Sequence, residues 1–385
     1  MNTDTLTVSL KGKLDTTTIP AIEESIFEQI NNSSFDNLVI DFSDVTYISS
    51  IGLRTMLKLS KEYQLSIENV SPDVYETFEI TGFTKIIDVQ KTLRSISLDN
   101  AKLIGSGYFS NVYRLEGDTI VKVFIRDTSI ENIHREQLLA QEAFLSGIPT
   151  AITYDIVKVD GKYGVIFESI DGGTLTWQIA NNPDKLDEYI TDYADLLKTI
   201  DSTVPTASTQ KLINMADFAN EKLDVIKGHI TAEEYAKSKE LLSKLERTNT
   251  YLHSDCHTGN IMIQNGEYLL IDMDTLCTGN PVFELAAMYF TYIIFEDYEP
   301  GNSEKFMHLT ADVARQLFYT TVRKYMGSIS DFAYEENLKK VKFLGYLHAL
   351  FWNLTYKPED TDFFNFNYPK FSECLSVIDD LNLIV

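Results

Sequence analysis

The segment Tyr251–Asp274 combines residue types that can transfer a phosphoryl group. It reads YLHSDCHTGNIMIQNGEYLLIDMD, which places His253, Asp255 and Asn260 on one loop before an Asn-Gly turn and an apolar strand that ends at Asp272. In transfer from a magnesium nucleotide, one carboxylate orients the acceptor hydroxyl, while an amide and a second carboxylate hold the metal. We therefore predict Asp255 and His253 as catalytic residues and Asn260 and Asp272 as Mg²⁺ ligands. Within this set, His253 is expected to brace the loop by hydrogen bonding rather than to titrate in the reaction.

A glycine-containing segment further upstream could hold the phosphates of the nucleotide. Ala101–Leu115 reads AKLIGSGYFSNVYRL, with Gly105, Ser106 and Gly107 between two strand-like runs and Ser110 where G-x-G-x-x-G has its third glycine. Glycine lets the backbone close over phosphates without a side-chain clash. Hairpin turns use the same residues, so a plain turn stays open as the alternative.

The strand after this segment supplies a lysine that could bind phosphate oxygens. Lys122 stands in TIVKVF and points opposite to its apolar neighbours, as alternation along a strand requires. A kinase pairs this lysine with a glutamate on the next helix. We prefer Glu136, which precedes an apolar helix face, and keep Glu142 as the alternative. A solvated strand lysine without any ligand is the simpler reading of Lys122 alone.

Two further strands lead to the expected adenine site. ITYDIVKV and YGVIFESI are joined at Asp160-Gly161, a strong hairpin signal. The second strand leads into Phe167, Glu168 and Ile170. A hinge between two lobes would lie here and contact adenine through its main-chain groups. We predict these three residues as nucleotide-binding residues.

Net charge limits the partners of the chain. The charge is −24 and the isoelectric point about 4.6, with −6 in the first 95 residues and −18 in the rest. This imbalance excludes nucleic acid and anionic membranes as expected partners. It is compatible with a cationic substrate, although ordinary acidity of a cytosolic protein is the simpler explanation.

The cysteine content indicates a reducing compartment, and the N-terminus and the apolar runs indicate neither secretion nor a membrane span. The three cysteines are an odd number without metal-ligand spacing, and Cys256 with His257 has no second ligand pair nearby. The N-terminus lacks the basic and apolar regions of a signal peptide, and no apolar run has the length of a membrane span. We therefore expect a cytoplasmic location and no membrane partner.

The first 90 residues read as a small α/β unit. Leu6–Leu14 alternates apolar and polar residues like a half-buried strand, and Ile19–Ile30 has apolar residues at helical spacing. A buried strand at 37–42, a helix from about 51 to 63 and a strand at 65–70 follow. Ser71-Pro72 opens another helix, and we expect a last strand at 85–89. Alternating strands and helices imply one sheet backed by helices.

This unit resembles the STAS domain of bacterial anti-sigma factor antagonists over residues 5–90. The resemblance is carried by DFSDVTYISSIGLRTML, Asp41–Leu57. It implies that a partner kinase can phosphorylate Ser50 and thereby switch the binding of a protein partner; members regulated in this way often have aspartate where Ser49 stands. A helix N-terminus stabilises added negative charge. The alternative, that Ser50 only caps its helix, stays open.

The remainder of the chain, from about 101 to 385, resembles the aminoglycoside phosphotransferase and choline kinase group. The matching residues are HSDCHTGN, IDMD and GNPVFELA. The resemblance implies a protein kinase-like fold, ATP and Mg²⁺ as cofactors, and a catalytic role for Asp255. The group usually has glycine at Ser254 and aspartate at Glu284. Asp274 could support Asp272 as a second acid.

The acceptor of this group is a small molecule, and the sequence favours the same here. Only a few residues separate Asp272 from Pro281, whereas a protein kinase needs a long activation segment there to bind a peptide. The helices that follow are rich in aromatic residues that could flank a cation or simply form core. These residues are Phe283, Tyr289, Tyr292 and Trp352.

We therefore predict an α/β STAS domain with a mixed sheet in 1–93, a linker in 94–100, and an α+β bilobal kinase-like domain in 101–385. The N-lobe is expected at 101–170 and the helical C-lobe at 171–385. The predicted function is ATP- and Mg²⁺-dependent phosphorylation of a small-molecule hydroxyl, with a STAS module for a protein partner. One alternative is a signalling adaptor whose kinase-like domain only binds nucleotide. Another is phosphorylation of Ser50 by the kinase-like domain itself.

Overall fold

The chain divides into two units in the computed structural model, which describes residues 4–107, 110–126, 128–206 and 212–384. One unit comprises the chain up to residue 97 together with 156–161, and the other comprises 98–155 and the chain from 162 onward. Each unit has its own hydrophobic core. Within the described residues, no helix is both long and apolar enough to cross a membrane.

The first unit is a four-stranded sheet with helices in each connection. Its strands, in sheet order, are β1 (Thr5–Leu14), β2 (Asn37–Ile48), β3 (Gln64–Val70) and β4 (Asp88–Lys91). Its helices are α1 (Ile19–Asn31), α2 (Ser50–Glu62) and α3 (Pro72–Ile80). All three strand pairings are parallel, whereas the sequence predicted a mixed sheet. A helix between consecutive strands returns the chain to the same end of the sheet, so the strands run in one direction.

The spacing of apolar residues explains most of these elements, but the position predicted for the last strand was wrong. Alternation buries Val8, Leu10 and Leu14 of β1, while the helical spacing in α1 buries Ile26 and Ile30. The last strand lies at 88–91 instead of the predicted 85–89. The reason is a one-turn 3₁₀ helix at 83–85, which follows Gly82 in the left-handed conformation.

Ser50 is the first residue of α2 and is exposed. The preceding Ser49 holds the N-cap position, and its hydroxyl donates to the carbonyl oxygen of Leu14 at 3.0 Å instead of capping the helix. The capping alternative for Ser50 therefore has no support in the structure. Phosphorylation of this exposed hydroxyl stays a prediction.

The second unit begins with an antiparallel sheet and one long helix. The strands that lie wholly in this unit are β6 (Lys102–Ser106), β7 (Ser110–Arg114), β8 (Thr119–Phe124) and β10 (Lys162–Glu168), in the order β10-β8-β7-β6. Strand β9 (Thr153–Val159) has its residues from 156 onward in the first unit. Helix α4 (Ile130–Leu145) lies between β8 and β9 in the chain. A short strand, β5 (Arg94–Ile96), pairs with Val157–Val159 within the first unit. It falls in the segment predicted as the linker, and the domain limits at 93 and 101 stay a prediction.

The rest of the second unit is largely helical, as the sequence predicted. Its helices are α5 (Leu175–Asn181), α6 (Leu186–Ser202), α7 (Met215–Ile226), α8 (Ala232–Lys244), α9 (Val282–Tyr289), α10 (Phe295–Tyr298), α11 (Asn302–Met307), α12 (Ala311–Met326), α13 (Asp331–Tyr356) and α14 (Thr361–Ser376). Four short strands lie between α8 and α9: β11 (Tyr251–Leu252), β12 (Ile261–Gln264), β13 (Glu267–Leu270) and β14 (Cys277–Thr278). The predicted catalytic and metal-binding residues lie on these strands and their loops: His253, Asp255, Asn260 and Asp272.

Helix α13 packs against both α7 and α9. Phe283, Tyr289 and Tyr292 are buried there, and the hydroxyl groups of Tyr289 and Tyr346 lie 3.1 Å apart. Trp352 is partly buried and packs against the rings of neighbouring phenylalanines. These positions fit the core alternative for the aromatic residues better than a cation site.

The close contact of α13 with α9 predicts the effect of adding one methyl group. A Cβ at Gly345 would lie 2.8 Å from Cδ1 of Tyr289 and 3.3 Å from the carbonyl oxygen of Ala286. We expect Gly345→Ala to lower the free energy of unfolding by about 1–3 kcal/mol through overpacking, although alanine favours helix. Urea unfolding measures the change. Gly228→Ala is the control, because a Cβ there meets nothing within 4 Å; equal midpoints for the two variants would contradict the prediction.

Candidate active site

The loop that carries Asp255 is held between two pairs of short strands. On one side β11 pairs with β14, and on the other β12 and β13 form a hairpin. Asn265 and Gly266 at the turn of this hairpin are both left-handed, with φ of 54° and 83°. An Asn-Gly turn with this conformation matches the right-handed twist of the two strands. The hairpin therefore brings Asp272 back beside the loop.

His253 fixes the loop from inside the core. It is fully buried, and its Nε2 lies 3.1 Å from the carbonyl oxygen of Ile271. The hydroxyl of Thr275 donates to the carbonyl oxygen of His253 at 2.7 Å. Both contacts join the loop to the segment around Asp272. His253 thus has the surroundings of a bracing residue rather than of one that meets a substrate.

Ser254 occupies a backbone conformation that favours glycine. Its φ is 66°, which costs a non-glycine residue about 1 kcal/mol or more. Its amide donates to Oε2 of the fully buried Glu284 at 2.8 Å. Glutamate therefore holds the loop backbone at the position where the resembled group has aspartate. Glycine would adopt this conformation without that cost.

Asp255 and Asn260 face each other across the loop. The Asn260 side-chain amide donates to the carbonyl oxygen of Asp255 at 3.0 Å and to its Oδ2 at 3.1 Å. Burial raises the pKa of Asp255 to about 7, with help from the charges of Asp272 and Glu284 and against the opposing effects of His253 and Asn260. A carboxylate with this pKa can exchange a proton with a hydroxyl group near neutral pH.

Cys256 and His257 follow Asp255 on the loop. Cys256 is buried, and Nδ1 of His257 accepts the amide hydrogen of Gly259 at 3.0 Å. Burial lowers the pKa of His257 to about 4, so the ring is neutral at physiological pH. Across the described ranges, no three His, Cys, Asp or Glu residues are grouped as metal ligands.

Lys122 connects two acids that are distant in the sequence. Its Nζ lies 2.7 Å from Oε1 of Glu136 on α4 and 2.8 Å from Oδ1 of Asp272. Glu142, the alternative partner, instead accepts a hydrogen bond from the hydroxyl of Tyr251 at 3.0 Å. Lys122 therefore pairs with Glu136, the residue preferred from the sequence.

The charges of this cluster are strongly interdependent. Burial lowers the pKa of Lys122, but Asp272 and Glu136 outweigh it and keep the pKa above its usual range. Burial raises the pKa of Glu136, and Lys122 only partly offsets this effect. For Asp272 the attraction of Lys122 prevails over burial and lowers the pKa. Burial and then repulsion by Asp272 raise the pKa of Asp274 to about 6.

Asn260 and Asp272 are suited to a hard divalent cation. The side-chain amide of Asn260 donates to Asp255, and among the described residues no group donates to its carbonyl oxygen Oδ1. Asp272 keeps its second oxygen, Oδ2, beyond the one that Lys122 contacts. Mg²⁺ prefers such oxygen ligands and is usually held by one or two side chains together with substrate phosphates. The residues present therefore fit Mg²⁺, although they do not form a metal cage by themselves.

A cavity of about 620 Å³ lies next to Lys122. Every residue predicted to bind the nucleotide lines it: Gly105, Ser106, Gly107, Ser110, Lys122, Glu136, Phe167, Glu168 and Ile170. Asp272 lines the cavity as well. Its volume is in the range of cofactor pockets, which are mostly apolar with few polar groups.

The strand end at 167–170 leaves main-chain groups for a ligand. The amide of Glu168 donates to the carbonyl oxygen of Ile152 at 3.0 Å, and that of Ser169 donates to Asp118 at 2.9 Å. In the described part of the chain, the amide of Ile170 has no main-chain acceptor. Because Ile170 also lines the cavity, its amide is suited to a ring nitrogen of a nucleobase.

The sequence interpretation missed part of the cavity wall. Gly172, Gly173 and Trp177 also line the cavity. A Cβ at Gly172 would lie 1.2 Å from the carbonyl oxygen of Ile263, so only glycine fits there. The Gly-Gly pair directly after the predicted hinge was a usable signal for this close approach.

Two buried acids lie beneath the catalytic loop. Besides Glu284, Asp201 at the end of α6 is buried, and its Oδ2 accepts a hydrogen bond from the hydroxyl of Tyr325 at 2.7 Å. Oδ1 of Asp201 and Oε1 of Glu284 are buried without a hydrogen-bond partner. Burial, followed by the charge of Glu284, raises the pKa of Asp201 well above its usual value.

Comparison with known families identifies both units. Residues 1–96 match the STAS domain, and residues 100–310, just over half of the chain, match the family described as the phosphotransferase enzyme family. Both resemblances expected from the sequence are therefore confirmed. A relative of the first unit is the "Putative anti-sigma factor antagonist BtrV" of Bordetella bronchiseptica. It is 30% identical over 89 residues, which span 22% of this chain and 76% of that protein.

Solved structures similar to the chain include two kinds of small-molecule kinase. One is a thermostable mutant of aminoglycoside phosphotransferase APH(4)-Ia in complex with ADP and hygromycin B, at 13% identity and a TM-score of 0.49. The similarity covers 72% of this chain and 94% of that one. The other is a choline/ethanolamine kinase family protein from Mesorhizobium loti, at 15% identity, a TM-score of 0.46, and coverage of 73% and 89%.

The raised pKa of Asp201 predicts a pH-dependent change in stability. A carboxyl group with a higher pKa in the folded state stabilises the fold at low pH and loses this contribution as pH rises from about 4 toward the folded pKa. We expect Asp201→Asn to abolish this loss. The variant should gain stability relative to the wild type between pH 4 and 7, measured by urea unfolding across that range. Parallel curves for the two proteins would contradict the prediction.

Proposed function

The chain belongs to the phosphotransferase enzyme family and carries an N-terminal STAS domain, and we propose that it transfers the γ-phosphoryl group of ATP to a hydroxyl of a small molecule. The observation that carries this proposal is the arrangement around Lys122. One ammonium group contacts both Glu136 and Asp272 at the edge of a cavity that can hold a nucleotide.

The nucleotide would bind in the 620 Å³ cavity with its phosphates at Lys122. The segment Gly105–Gly107 would cover the phosphates, because its glycines allow the backbone to approach them closely. The main chain from Glu168 to Ile170 would contact the adenine, with the amide of Ile170 as a donor. Lys122 is held by two acids and is therefore positioned before the phosphates arrive.

Mg²⁺ would be held by Asn260 and Asp272 together with phosphate oxygens of the nucleotide. A bound Mg²⁺ offsets negative charge on the transferred group. Asn260 also donates to the carboxylate of Asp255. The side chain that would hold Mg²⁺ therefore also orients the proposed catalytic base. Asp274, with its raised pKa, lies close enough to Asp272 to be affected by its charge.

Asp255 would accept a hydrogen bond from the acceptor hydroxyl and then take its proton. Its pKa of about 7 suits a group that must gain a proton during the reaction and lose it afterwards. The short chain between Asp272 and Pro281 favours a small acceptor, because a peptide substrate needs a longer segment at this place. The acceptor would approach from the side of the helical region.

The STAS domain would bind a protein partner and regulate the phosphotransferase unit or report its state. Ser50 is exposed at the N-terminus of α2, where a helix tolerates added negative charge. Phosphorylation at this position would change the surface offered to the partner. Location in the cytoplasm stays a prediction.

Asp255→Asn tests the proposed reaction. We expect kcat for transfer from Mg-ATP to fall by roughly 10²–10⁴-fold, because amide nitrogen cannot take the hydroxyl proton. Binding of ADP should change little, since Asp255 does not line the nucleotide cavity. Phosphorylated product is measured by mass spectrometry with aminoglycosides, choline and sugars as acceptors.

The matched control is Asp184→Asn, which removes an exposed carboxylate of the same unit. It should retain wild-type turnover. Wild-type turnover in Asp255→Asn itself would rule out the proposed role of this residue.

A further inference from the structure

A second, much smaller cavity lies against the catalytic loop on the side of the helices. It is enclosed by α7, α9, α13 and Ser254, the residue directly before Asp255, and its volume is about 20 Å³. This is roughly the space of one water-sized group. Three polar side chains line it, Lys222, Ser254 and His348, and the remaining wall is apolar.

Lys222 is held in this wall by neutral groups. It is 5% exposed, its Nζ lies 2.8 Å from Nδ1 of His348, and it lies over the ring of Phe218 at 4.6 Å and that of Phe351 at 5.7 Å. Burial lowers the pKa of Lys222 to about 8. Burial, followed by the charge of Lys222, lowers the pKa of His348. His348 is therefore neutral and accepts one of the three hydrogens that the ammonium can donate.

No carboxylate in the described part of the chain forms an ion pair with Lys222. The other buried lysine among those residues, Lys340, is also 5% exposed, but its Nζ lies 3.1 Å from Oδ1 of Asp380. Removing an ammonium from water costs several kcal/mol unless an anion or good hydrogen bonds compensate. The aromatic rings and one imidazole compensate only in part. Lys222 is thus a desolvated cation with donor capacity left at the cavity.

We propose that Lys222 and His348 form a subsite for a carboxylate group of the acceptor, and that the acceptor is a hydroxylated carboxylic acid. The inference rests on the proposed phosphotransfer function and specifies its substrate class. One carboxylate oxygen fits the space of the cavity and takes a hydrogen bond from Lys222. The rest of the acceptor then extends past Ser254, which brings a hydroxyl group to the neighbouring Asp255.

The charge of the side chains around this cavity therefore differs in sign from the net charge of the chain. The net charge of −24 is compatible with a cationic acceptor, yet the side chains that face this cavity offer an ammonium, an imidazole and a hydroxyl. In a strongly acidic protein, a single buried cation beside the reacting group selects an anion at close range.

The test uses the full-length protein, labelled ATP and small molecules extracted from bacterial cells. One portion of the extract is treated with methylamine and a carbodiimide, which converts carboxylates into neutral amides, and a second portion receives methylamine alone. We expect labelled small molecules only in the second portion. Equal labelling in both portions would overturn the carboxylate subsite and leave the phosphotransferase function intact. No labelled small molecule in either portion would overturn that function and the subsite with it.

Lys222→Met tests the residue itself, because it keeps the length of the side chain and removes the charge. We expect transfer to extract acceptors to fall about tenfold or more, which corresponds to one lost charge-assisted hydrogen bond. The thermal midpoint should stay the same or rise, since an uncompensated buried charge is removed. A lower midpoint with unchanged transfer would assign Lys222 to structure alone. Lys61→Met, which removes an exposed charge in the STAS domain, is the control and should match the wild type.

Discussion

The contact of Lys122 with Glu136 and Asp272 is the interaction on which the site depends. It joins two neighbouring elements, β8 and α4, to the segment after β13, which lies 150 positions beyond Lys122 in the sequence. Without the ammonium, two carboxylates would repel each other at the edge of a partly buried cavity. With it, Asp272 remains charged and keeps one oxygen for a cation. The same ammonium is the group that nucleotide phosphates need. The contacts that join these elements therefore also position the ammonium group of Lys122 for phosphate binding.

The loop that carries Asp255 is surrounded by groups that lower the stability of the fold. Ser254 has a left-handed backbone, Glu284 is buried with one oxygen lacking a partner, and Asp201 is a buried acid of the same region. Each feature lowers stability, and each holds or surrounds the backbone that presents Asp255. Lys222 is likewise a buried group that lowers stability, and it lies at the proposed acceptor subsite. These groups fix the positions of the polar side chains in the site, and they lower the stability of the surrounding fold.

The sequence predicted what depends on local spacing. The glycine-containing segment and the Asn-Gly hairpin follow from turn residues within a few positions. The pair formed by Lys122 and Glu136 follows from the kinase pattern together with the apolar face that begins after Glu136. The parallel direction of the first sheet was missed, because the direction of a strand depends on its crossover and not on its own residues. Lys222 and His348 are 126 positions apart in the sequence and lie on different helices, so no local pattern connects them. Net charge, a global property, gave no information on the charge that faces the acceptor.

The fate of the γ-phosphate tests the account most directly. The full-length protein would be incubated with Mg-ATP and a small-molecule extract, and the γ-phosphate would be followed by phosphorus NMR and by mass spectrometry of both the protein and the small molecules. The account predicts that the phosphate appears on a hydroxyl of a low-mass compound. Phosphate that remains on tightly bound ATP, or that appears only on Ser50 of the chain, would contradict it.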